Sequence, residues 1–432
     1  MGYSKNIGHN FITQILKIIF GVLTGVLVAR SLGPSGQGYV AYILLIFNLL
    51  GGFGHFGLSS AVMYFQKKSA FDRTEIYSSN VNTLSLISLV LVVLVSLARS
   101  WGWLLDSYST VYIVGGLFLM VSTIFTSHHQ AWLVGDEKII QNNNIGLLVF
   151  FIRSLAILIF WLWGWLTPLS YFYIMALTML LWFIIIQLAL KEKYLFLVSL
   201  PVLKAEFKYG AFGWWSALFA YLLLRVDQIM IKQMIGVSEL GIYSIAVIIA
   251  ELMFLLPTAI TSALIGRLYN LPEQDNGSAL TARTIRLSFY VCLILSLIGI
   301  LGSFLIPIVY GAAFARATWV TIILLPGVLF ACIPRIASPW FYAQGKPQIH
   351  LWITFCSFAL NLGANLILIP RMGINGAALA TTIAYAVYGV WYVLQLALGE
   401  KFGFAALLKP NLQDWQLIRG LLPSALKGTK LP

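Results

Sequence analysis

The sequence predicts an all-α polytopic membrane protein, with about 12 transmembrane helices in two six-helix lobes. Hydrophobic residues make up 60% of the chain and charged residues only 9%, whereas a soluble domain carries about 25% charged residues. Apolar runs long enough to cross ~30 Å of hydrocarbon recur along the chain, and two turn motifs occur once in each half. Because lipid offers no partners to backbone polar groups, spans of this length are helical.

The apolar runs and the breaks between them define the predicted domains. Twelve runs lie at residues 10–31, 38–64, 77–99, 109–132, 142–165, 168–190, 210–232, 240–266, 284–309, 317–342, 348–369 and 374–398. The longest break, residues 191–209, has basic ends and an apolar centre, a pattern typical of a helix that lies in the membrane interface. We therefore expect an N-terminal lobe over 1–190, a cytoplasmic interfacial linker over 191–209, a C-terminal lobe over 210–398 and a basic cytoplasmic tail over 399–432.

The net charge of +13 is explained by topology. If the N-terminus is inside, eighteen Lys and Arg residues fall in inner segments and five in outer segments. By the positive-inside rule, this asymmetry places both termini in the cytoplasm. The charge therefore predicts a multi-pass membrane protein, and it does not require a nucleic-acid partner.

Two short motifs repeat between the halves. The turn Gly33–Gly38 (GPSGQG) matches Gly236–Gly241 (GVSELG) as G-x-S-x-x-G, and Gly135–Ile139 (GDEKI) matches Gly345–Ile349 (GKPQI). The separations, 203 and 210 residues, agree to within one small loop change. An even number of helices per half keeps both repeats in one orientation, so we expect them to be related by an axis along the membrane normal.

The segment Leu222–Tyr243 (LLLRVDQIMIKQMIGVSELGIY) places two charges inside an apolar run. A charge at membrane depth costs from ~2.5 to well over ~10 kcal/mol, so it indicates a function. Arg225 and Asp227 are two residues apart, roughly 200° around a helix, and therefore lie on opposite faces. We expect Arg225 to line a cavity and Asp227 to find its partner on another helix.

Embedded cations outnumber embedded acids. Lys17, Arg153, Arg225 and Arg335 lie within spans, whereas the embedded acids are Asp227 and Glu251. This excess predicts a polar cavity with an anionic passenger, and interhelical hydrogen bonding, worth about 0.6 kcal/mol per pair, is the alternative for the embedded polar residues. With two cations at span ends added, the candidate substrate-binding residues are Lys17, Arg30, Arg153, Arg225, Lys232 and Arg335.

No catalytic or cofactor motif is present. The sequence lacks metal-ligand clusters, a nucleophile elbow, a P-loop and a dinucleotide glycine pattern, and Cys292, Cys332 and Cys356 fit packing positions inside spans. We therefore expect neither an enzyme nor a resident cofactor. A membrane-embedded polysaccharide polymerase or ligase is the alternative from another class, but the longest outer loop, Arg99–Ser109, offers only Arg99 and Asp106.

Four segments carry a resemblance to a known family. They are ARSLGPSGQGYVA (Ala29–Ala41), RVDQIMIKQMIGVSELGIYSIA (Arg225–Ala246), FYAQGKPQI (Phe341–Ile349) and GINGAALATTIAY (Gly373–Tyr385). Over about residues 1–398 the chain resembles Wzx-type polysaccharide (O-antigen or capsule) flippases of the multidrug/oligosaccharidyl-lipid/polysaccharide (MOP) exporter superfamily. The resemblance implies a V-shaped, MATE-like molecule whose lobes rock between inward-open and outward-open states.

The resemblance also implies a passenger. It would be an undecaprenyl-diphosphate-linked oligosaccharide, moved from the cytoplasmic to the periplasmic leaflet of the lipid bilayer. The resemblance therefore implies a multi-pass protein of the bacterial inner membrane. A polymerase and a chain-length regulator of the same pathway are the implied protein partners. A cation-coupled multidrug exporter is the alternative within the superfamily, but a cavity for cationic drugs should carry acids, and here cations predominate.

A coupling-ion site is implied by similarity to the lipid II flippase branch. There, an Asp of helix 7, an Asn/Asp pair one turn apart on helix 11 and a Thr of helix 12 hold sodium. Asp227, Asn361 with Asn365, and Thr381 occupy similar places. Asn365 stands where a second acid is expected, which lowers the charge of the site, so the resemblance implies either Na⁺ or a proton on Asp227. The alternative is that Asp227 pairs with a cation of a neighbouring helix for structure.

Overall fold

A computed structural model describes residues 3–68, 71–268 and 277–400, and all regular structure within these ranges is helical. The predicted tail lies outside the described residues from position 401 onward. The helices are α1 (Tyr3–Phe53), α2 (Leu58–Lys68), α3 (Arg73–Ser100), α4 (Thr110–Gly135), α5 (Ile139–Leu162), α6 (Pro168–Leu190), α7 (Leu200–Met234), α8 (Val237–Glu251), α9 (Leu255–Leu268), α10 (Ser278–Ser303), α11 (Ile306–Tyr310), α12 (Ala317–Ala343), α13 (Pro347–Met372) and α14 (Ile374–Glu400).

The predicted twelve-span, all-α fold is confirmed. Ten stretches of the described residues are long and apolar enough to cross a membrane. One of them, Ile19–Lys67, contains two spans because α1 has two arms that meet at Gly33. The φ of Gly33 is 63°, a backbone conformation that glycine adopts readily. Helix α7, which carries Arg225 and Asp227, contains the twelfth predicted span, residues 210–232, and is not among the ten. The cytoplasmic placement of the termini stays a prediction.

The second span of each half is interrupted. Residues 54–57 separate α1 from α2, with φ of 45° at Phe56 and 90° at Gly57. The ring Nδ1 of His55 accepts the Gly57 N–H at 3.1 Å. In the other half, a 3₁₀ turn at Leu252–Phe254 separates α8 from α9. Pro257 follows this turn and lacks the N–H that would continue the helical ladder, which explains the break.

The two G-x-S-x-x-G turns contact each other. A Cβ on Gly38 would lie 1.9 Å from the carbonyl oxygen of Val237, and one on Gly241 would lie 1.8 Å from the carbonyl oxygen of Pro34. The first glycine of each motif, Gly33 or Gly236, has a positive φ, which is 122° at Gly236. Glycine at the sixth position of each motif therefore lets α1 and α8 meet backbone to backbone.

The second repeat is offset from its sequence match. The residues with left-handed φ are Glu137 (63°) in the first half and Gly345 (67°) in the second, and they are 208 residues apart. The sequence match instead paired Gly135 with Gly345, 210 residues apart. Gly135 ends α4, where a Cβ would lie 1.4 Å from Nε2 of Gln66. Glycine at 135 therefore makes room for a neighbouring side chain, and the turn itself lies two residues later.

The linker differs from the predicted interfacial helix. Residues 191–199 are not helical, and α7 begins only at Leu200. The backbone N–H groups of Leu195 and Ser199 donate to the side chains of Ser78 and Ser79 on α3, both at 2.9 Å. These serines replace the intrahelical bonds that an interfacial helix would have made.

The centre of the molecule is built on α12. Of the 18-residue apolar stretch in α12, 72% is buried, against 17% for the stretch in α3, which lies at the periphery. Helix α12 packs against α8, α9, α10 and α14. Cys292 and Cys332 are buried and Cys356 is half-buried, all within helices. The most strongly covered helix therefore belongs to the half that also carries Asp227 and Arg335.

Candidate functional site

Helices α1, α5 and α6 bring two predicted cations together. We name Lys17, Arg153, Thr178 and Trp182 the N-terminal cationic cluster. Arg153 donates from Nε to Oγ1 of Thr178 at 2.9 Å. A Cβ built on Gly146 would lie 3.3 Å from Nζ of Lys17 and 3.1 Å from the Trp182 ring. Since Gly146 and Arg153 are two turns apart, and Thr178 and Trp182 one turn apart, each pair shares one helix face.

The cluster contains donors and positive charge. The indole N–H of Trp182 is buried without a hydrogen-bond partner among the described residues. Within the described residues, no carboxylate lies within 4.0 Å of Lys17 or Arg153. The Arg153 guanidinium also lies close enough to repel the Lys17 ammonium. Embedded charge without a counterion is unfavourable, so this arrangement is suited to an anion.

Arg225 has an acidic partner. Its guanidinium donates to both carboxylate oxygens of Glu251 on α8, each at 2.8 Å, and both side chains are 24% exposed. The sequence predicts that Arg225 is an isolated cation in a cavity. The structure pairs it because α7 and α8 face each other, which the spacing along the chain does not reveal. Its charge is therefore compensated, unlike that of Lys17.

Asp227 is buried among hydrogen-bond donors. Its Oδ2 accepts from the hydroxyl of Tyr243 at 2.5 Å and from Oγ1 of Thr381 at 3.0 Å, and its Oδ1 accepts from the N–H of Gln228 at 2.7 Å. Among the described residues it forms no ion pair. Tyr243 was not predicted, because it lies on α8 and meets Asp227 only through helix packing.

The two asparagines of α13 lie beside the same turn of α7. Asn361 donates to the carbonyl of Leu223, one turn before Asp227, at 2.8 Å. Asn365 donates to Oδ1 of Asn361 at 2.6 Å, and its own Oδ1 has no partner within the described ranges. We name the Asp227 carboxylate, its two hydroxyl donors and these amides, which bind α7 one turn earlier, the carboxylate site; all of its candidate ligands are oxygens. Such a set fits a hard cation or a proton, because hydroxyl oxygens can turn their lone pairs toward a cation.

A cavity of about 190 Å³ adjoins the carboxylate site. Arg335 lines it, with its guanidinium 3.8 Å from the ring centroid of Phe254. The cavity and the carboxylate site share α7 through Leu223, and they share α14 because Thr381 and Tyr385 are one turn apart. The residues that line the cavity include Leu223, Phe254, Arg335, Ser338, His350 and Tyr385.

The other two predicted cations lie at contacts between the halves. Arg30 donates to the carbonyls of Ile308 and Val309, at 2.5 and 2.7 Å, and so caps the end of α11. Lys232 lies 4.8 Å from the ring centroid of Tyr42. The structure therefore places Arg30 and Lys232 away from the cationic cluster and the cavity, in contacts that hold the first half against the second.

A helical membrane bundle with repeated halves and buried polar sites is typical of membrane transport proteins. Comparison of the sequence with known families identifies the family. Residues 3–271 match the model of the family described as polysaccharide biosynthesis protein, and the chain belongs to this family. Residues 228–424 match the model of the lipid II flippase MurJ.

Three curated relatives are informative. An uncharacterised membrane protein of Methanocaldococcus jannaschii, MJ1068, is 20% identical, with 91% of this chain and 84% of the relative covered. A probable low-salt glycan biosynthesis flippase of Haloferax volcanii, Agl15, is 27% identical over 45% of this chain and 42% of its own. A putative O-antigen transporter of Shigella flexneri is 24% identical over 40% and 42%.

Solved structures share the fold. The lipid II flippase MurJ in an inward closed conformation matches with a TM-score of 0.70 at 17% identity, covering 98% of this chain and 93% of its own. An inward-facing multidrug resistance MATE transporter of the MOP superfamily matches with a TM-score of 0.68 at 16% identity, covering 90% and 96%. These matches confirm the predicted resemblance. The named flippases and transporters also support the prediction that the chain is not an enzyme.

Proposed function

We propose that this protein is a flippase that moves a lipid-linked oligosaccharide across the membrane by alternating access. The observation that carries the proposal is the N-terminal cationic cluster, in which Lys17 and Arg153 lie together without a carboxylate partner in the described part of the chain. The names of the relatives, which include a glycan biosynthesis flippase and an O-antigen transporter, support the same class of passenger.

The cationic cluster suits a diphosphate. An ammonium, a guanidinium and an indole N–H can each donate to phosphate oxygens, and hydrogen bonds to charged groups are roughly twice as strong as neutral ones. Lys17 and Arg153 are both half-buried, so water screens this attraction less than it would on an open surface. The passenger we propose is an undecaprenyl-diphosphate-linked repeat unit whose tail stays in the lipid of the bacterial inner membrane. The direction is from the cytoplasmic to the periplasmic leaflet.

The carboxylate site supplies the proposed energy coupling. Asp227, Thr381, Tyr243 and the amide oxygens of α13 would hold Na⁺ or a proton, and either one would neutralise the buried carboxylate. The adjoining cavity shares α7 and α14 with this site. A cation that rearranges these two helices therefore changes the cavity as well, which is the physical basis for coupling.

A multidrug exporter is the weaker candidate. The likeness to MATE transporters concerns the fold alone, at 16% identity. A cationic drug would be repelled by the cluster of Lys17 and Arg153, and the embedded acid Glu251 is already paired with Arg225.

The test is transport of a fluorescent, diphosphate-linked lipid oligosaccharide in vesicles that contain the purified protein. Lys17→Met keeps a long apolar stem and removes the charge, and Lys17→Arg is the matched control that retains it. Losing one hydrogen bond to a charged group, about 1.5–3 kcal/mol, should slow transport by about 10- to 150-fold in Lys17→Met, with thermal stability retained. Wild-type rates in Lys17→Met would overturn the proposal, and transport of a cationic dye in place of the lipid would favour the exporter.

A further inference from the structure

A buried acid at the beginning of α7 takes no part in the sites described above. Glu206 and its neighbour Asn80 on α3 are both 0% exposed. Asn80 donates from Nδ2 to Oε1 of Glu206 at 3.2 Å. The other oxygen of each side chain, Oε2 of Glu206 and Oδ1 of Asn80, has no hydrogen-bond partner among the described residues. Two buried acceptor oxygens are thus left at the point where α3 and α7 pack together.

No described cation compensates Glu206. Arg73 on α3 binds Asp136 and Glu192, and Lys67 on α2 binds Glu137. Burial without a counterion raises the pKa of Glu206 to about 8, and the hydrogen bond from Asn80 only partly opposes this rise. None of the titratable or charged groups on the packed elements forms an ion pair with Glu206. These groups include His55, Tyr64 and Lys67 around α2, Arg73, Glu75 and Tyr77 on α3, Glu192, Lys193 and Tyr194 in the linker, Lys204, Lys208 and Tyr209 on α7, Lys346 just before α13, and His350 on α13.

One proton satisfies both oxygens. A carboxylic acid and an amide can pair through two parallel hydrogen bonds, and Asn80 already supplies the first. The second requires a hydrogen on Oε2 of Glu206 that donates to Oδ1 of Asn80. An ionised Glu206 cannot supply it, so both acceptors stay buried and unpaired, which is unfavourable. We propose that Glu206 and Asn80 form a proton-binding site that is loaded while α7 is packed against α2 and α3.

The site lies next to a contact between the halves. Gly210, one turn after Glu206, meets Gly57 in the break before α2, and a Cβ on Gly210 would lie 2.5 Å from the carbonyl oxygen of Gly57. Tyr64 and Tyr209 stack beside this contact, with ring centroids 4.9 Å apart. Separation of α7 from α2 and α3 therefore brings water to Glu206 and releases its proton. The consequence for transport rests on the proposed function, whereas the proton site itself does not.

The sign of the pH dependence follows from the raised pKa. The packed state binds the proton more tightly than the separated state, in which the carboxyl has its ordinary pKa of 4.5. The contact between α2 and α7 is therefore most stable below that ordinary value, and its stability is lost as the pH rises through about 8.

The experiment measures the distance between α2 and α7 in the full-length protein in lipid nanodiscs. Spin labels replace Met63 and Lys208, which are exposed on the two helices, in a Cys356→Ser background. The scan runs from about pH 5 to about pH 10 and so spans both carboxyl pKa values. We expect a short distance at low pH that is lost above about pH 8. Glu206→Gln should keep the short distance throughout, because its amide supplies the second donor to Asn80.

The matched control is Glu137→Gln, since Glu137 is exposed and paired with Lys67; this variant should respond to pH as the wild type does. The infrared carbonyl band of protonated acids at low pH should be weaker in Glu206→Gln than in this control, because one protonated acid is lost while others, such as Asp227, remain. The proposal is overturned if Glu206→Gln keeps the wild-type pH response or if the wild-type distance does not change with pH. Both readouts, the distance and the infrared band, use protein without a passenger, so they are independent of the flippase proposal.

Discussion

Gly241→Ala tests the backbone contact between the two repeats. The new Cβ would lie 1.8 Å from the carbonyl oxygen of Pro34 and 2.9 Å from the N–H nitrogen of Gly38, whereas an ordinary contact begins at 3.4 Å. The backbones of α1 and α8 must therefore separate by about 1.6 Å, the difference between the first and last of these distances. No flexible side chain can absorb this movement, because the opposing atoms belong to the main chain.

The expected magnitude is that of overpacking a tight interface, about 1–3 kcal/mol. The state in which the turns touch should then lose population by about 5- to 150-fold relative to the state in which they are apart. Spin labels at Ser35 and Ser238, which are exposed and hold matching positions in the two repeats, report this population. We expect a longer distance to dominate in Gly241→Ala.

The matched control is Gly25→Ala, in the first arm of α1, where an added Cβ meets nothing within 4 Å. This variant should keep the wild-type distance distribution and thermal stability. If Gly241→Ala and Gly25→Ala give the same distribution in folded protein, the contact between the turns does not control the conformational equilibrium. Gly38→Ala, which opposes Val237 from the other side, should reproduce the effect of Gly241→Ala.

Two further predictions concern the charges of α7. Arg225→Ala leaves Glu251 without its counterion and should lower thermal stability. The loss should be smaller than the about 3–5 kcal/mol of a fully buried pair, because both side chains are partly exposed. The double variant with Glu251→Ala should regain part of the loss, and equal losses in both variants would contradict this. Asp227→Asn should weaken the dependence of transport on Na⁺ or pH, measured in vesicles with imposed gradients, while binding of the lipid persists. An unchanged ion response would exclude Asp227 as the coupling group.

Much of the fold was predictable because lipid imposes strict rules. Apolar runs of membrane length must be helical, and their number gave the twelve spans. The repeated G-x-S-x-x-G turn was also predicted, and Gly33 and Gly236 both adopt the positive φ that such a turn needs. The second repeat was displaced by two residues, because the glycine at 135 serves a contact with Gln66 and does not form the turn.

The candidate sites were predicted only in part, because many of their contacts join residues on different helices. In the implied ion site, Thr381 donates to Asp227 and Asn361 donates to α7 one turn earlier. Tyr243, which also donates to Asp227, was missed because it lies on a different helix. Arg225 was expected to be isolated and is paired with Glu251, 26 residues later. Glu206 was missed because it stands in a lysine-rich segment that resembles a solvated linker.

The sequence by itself determined that the chain is helical and embedded, that its halves repeat, and that it holds more positive than negative charge within the membrane. These properties depend on composition and local spacing, which each segment carries alone. Only the tertiary structure decided which charges are compensated, because an ion pair or hydrogen bond depends on helices that meet in space. Lys17 and Arg153 differ from Arg225 in their neighbours, and that difference carries the proposed function.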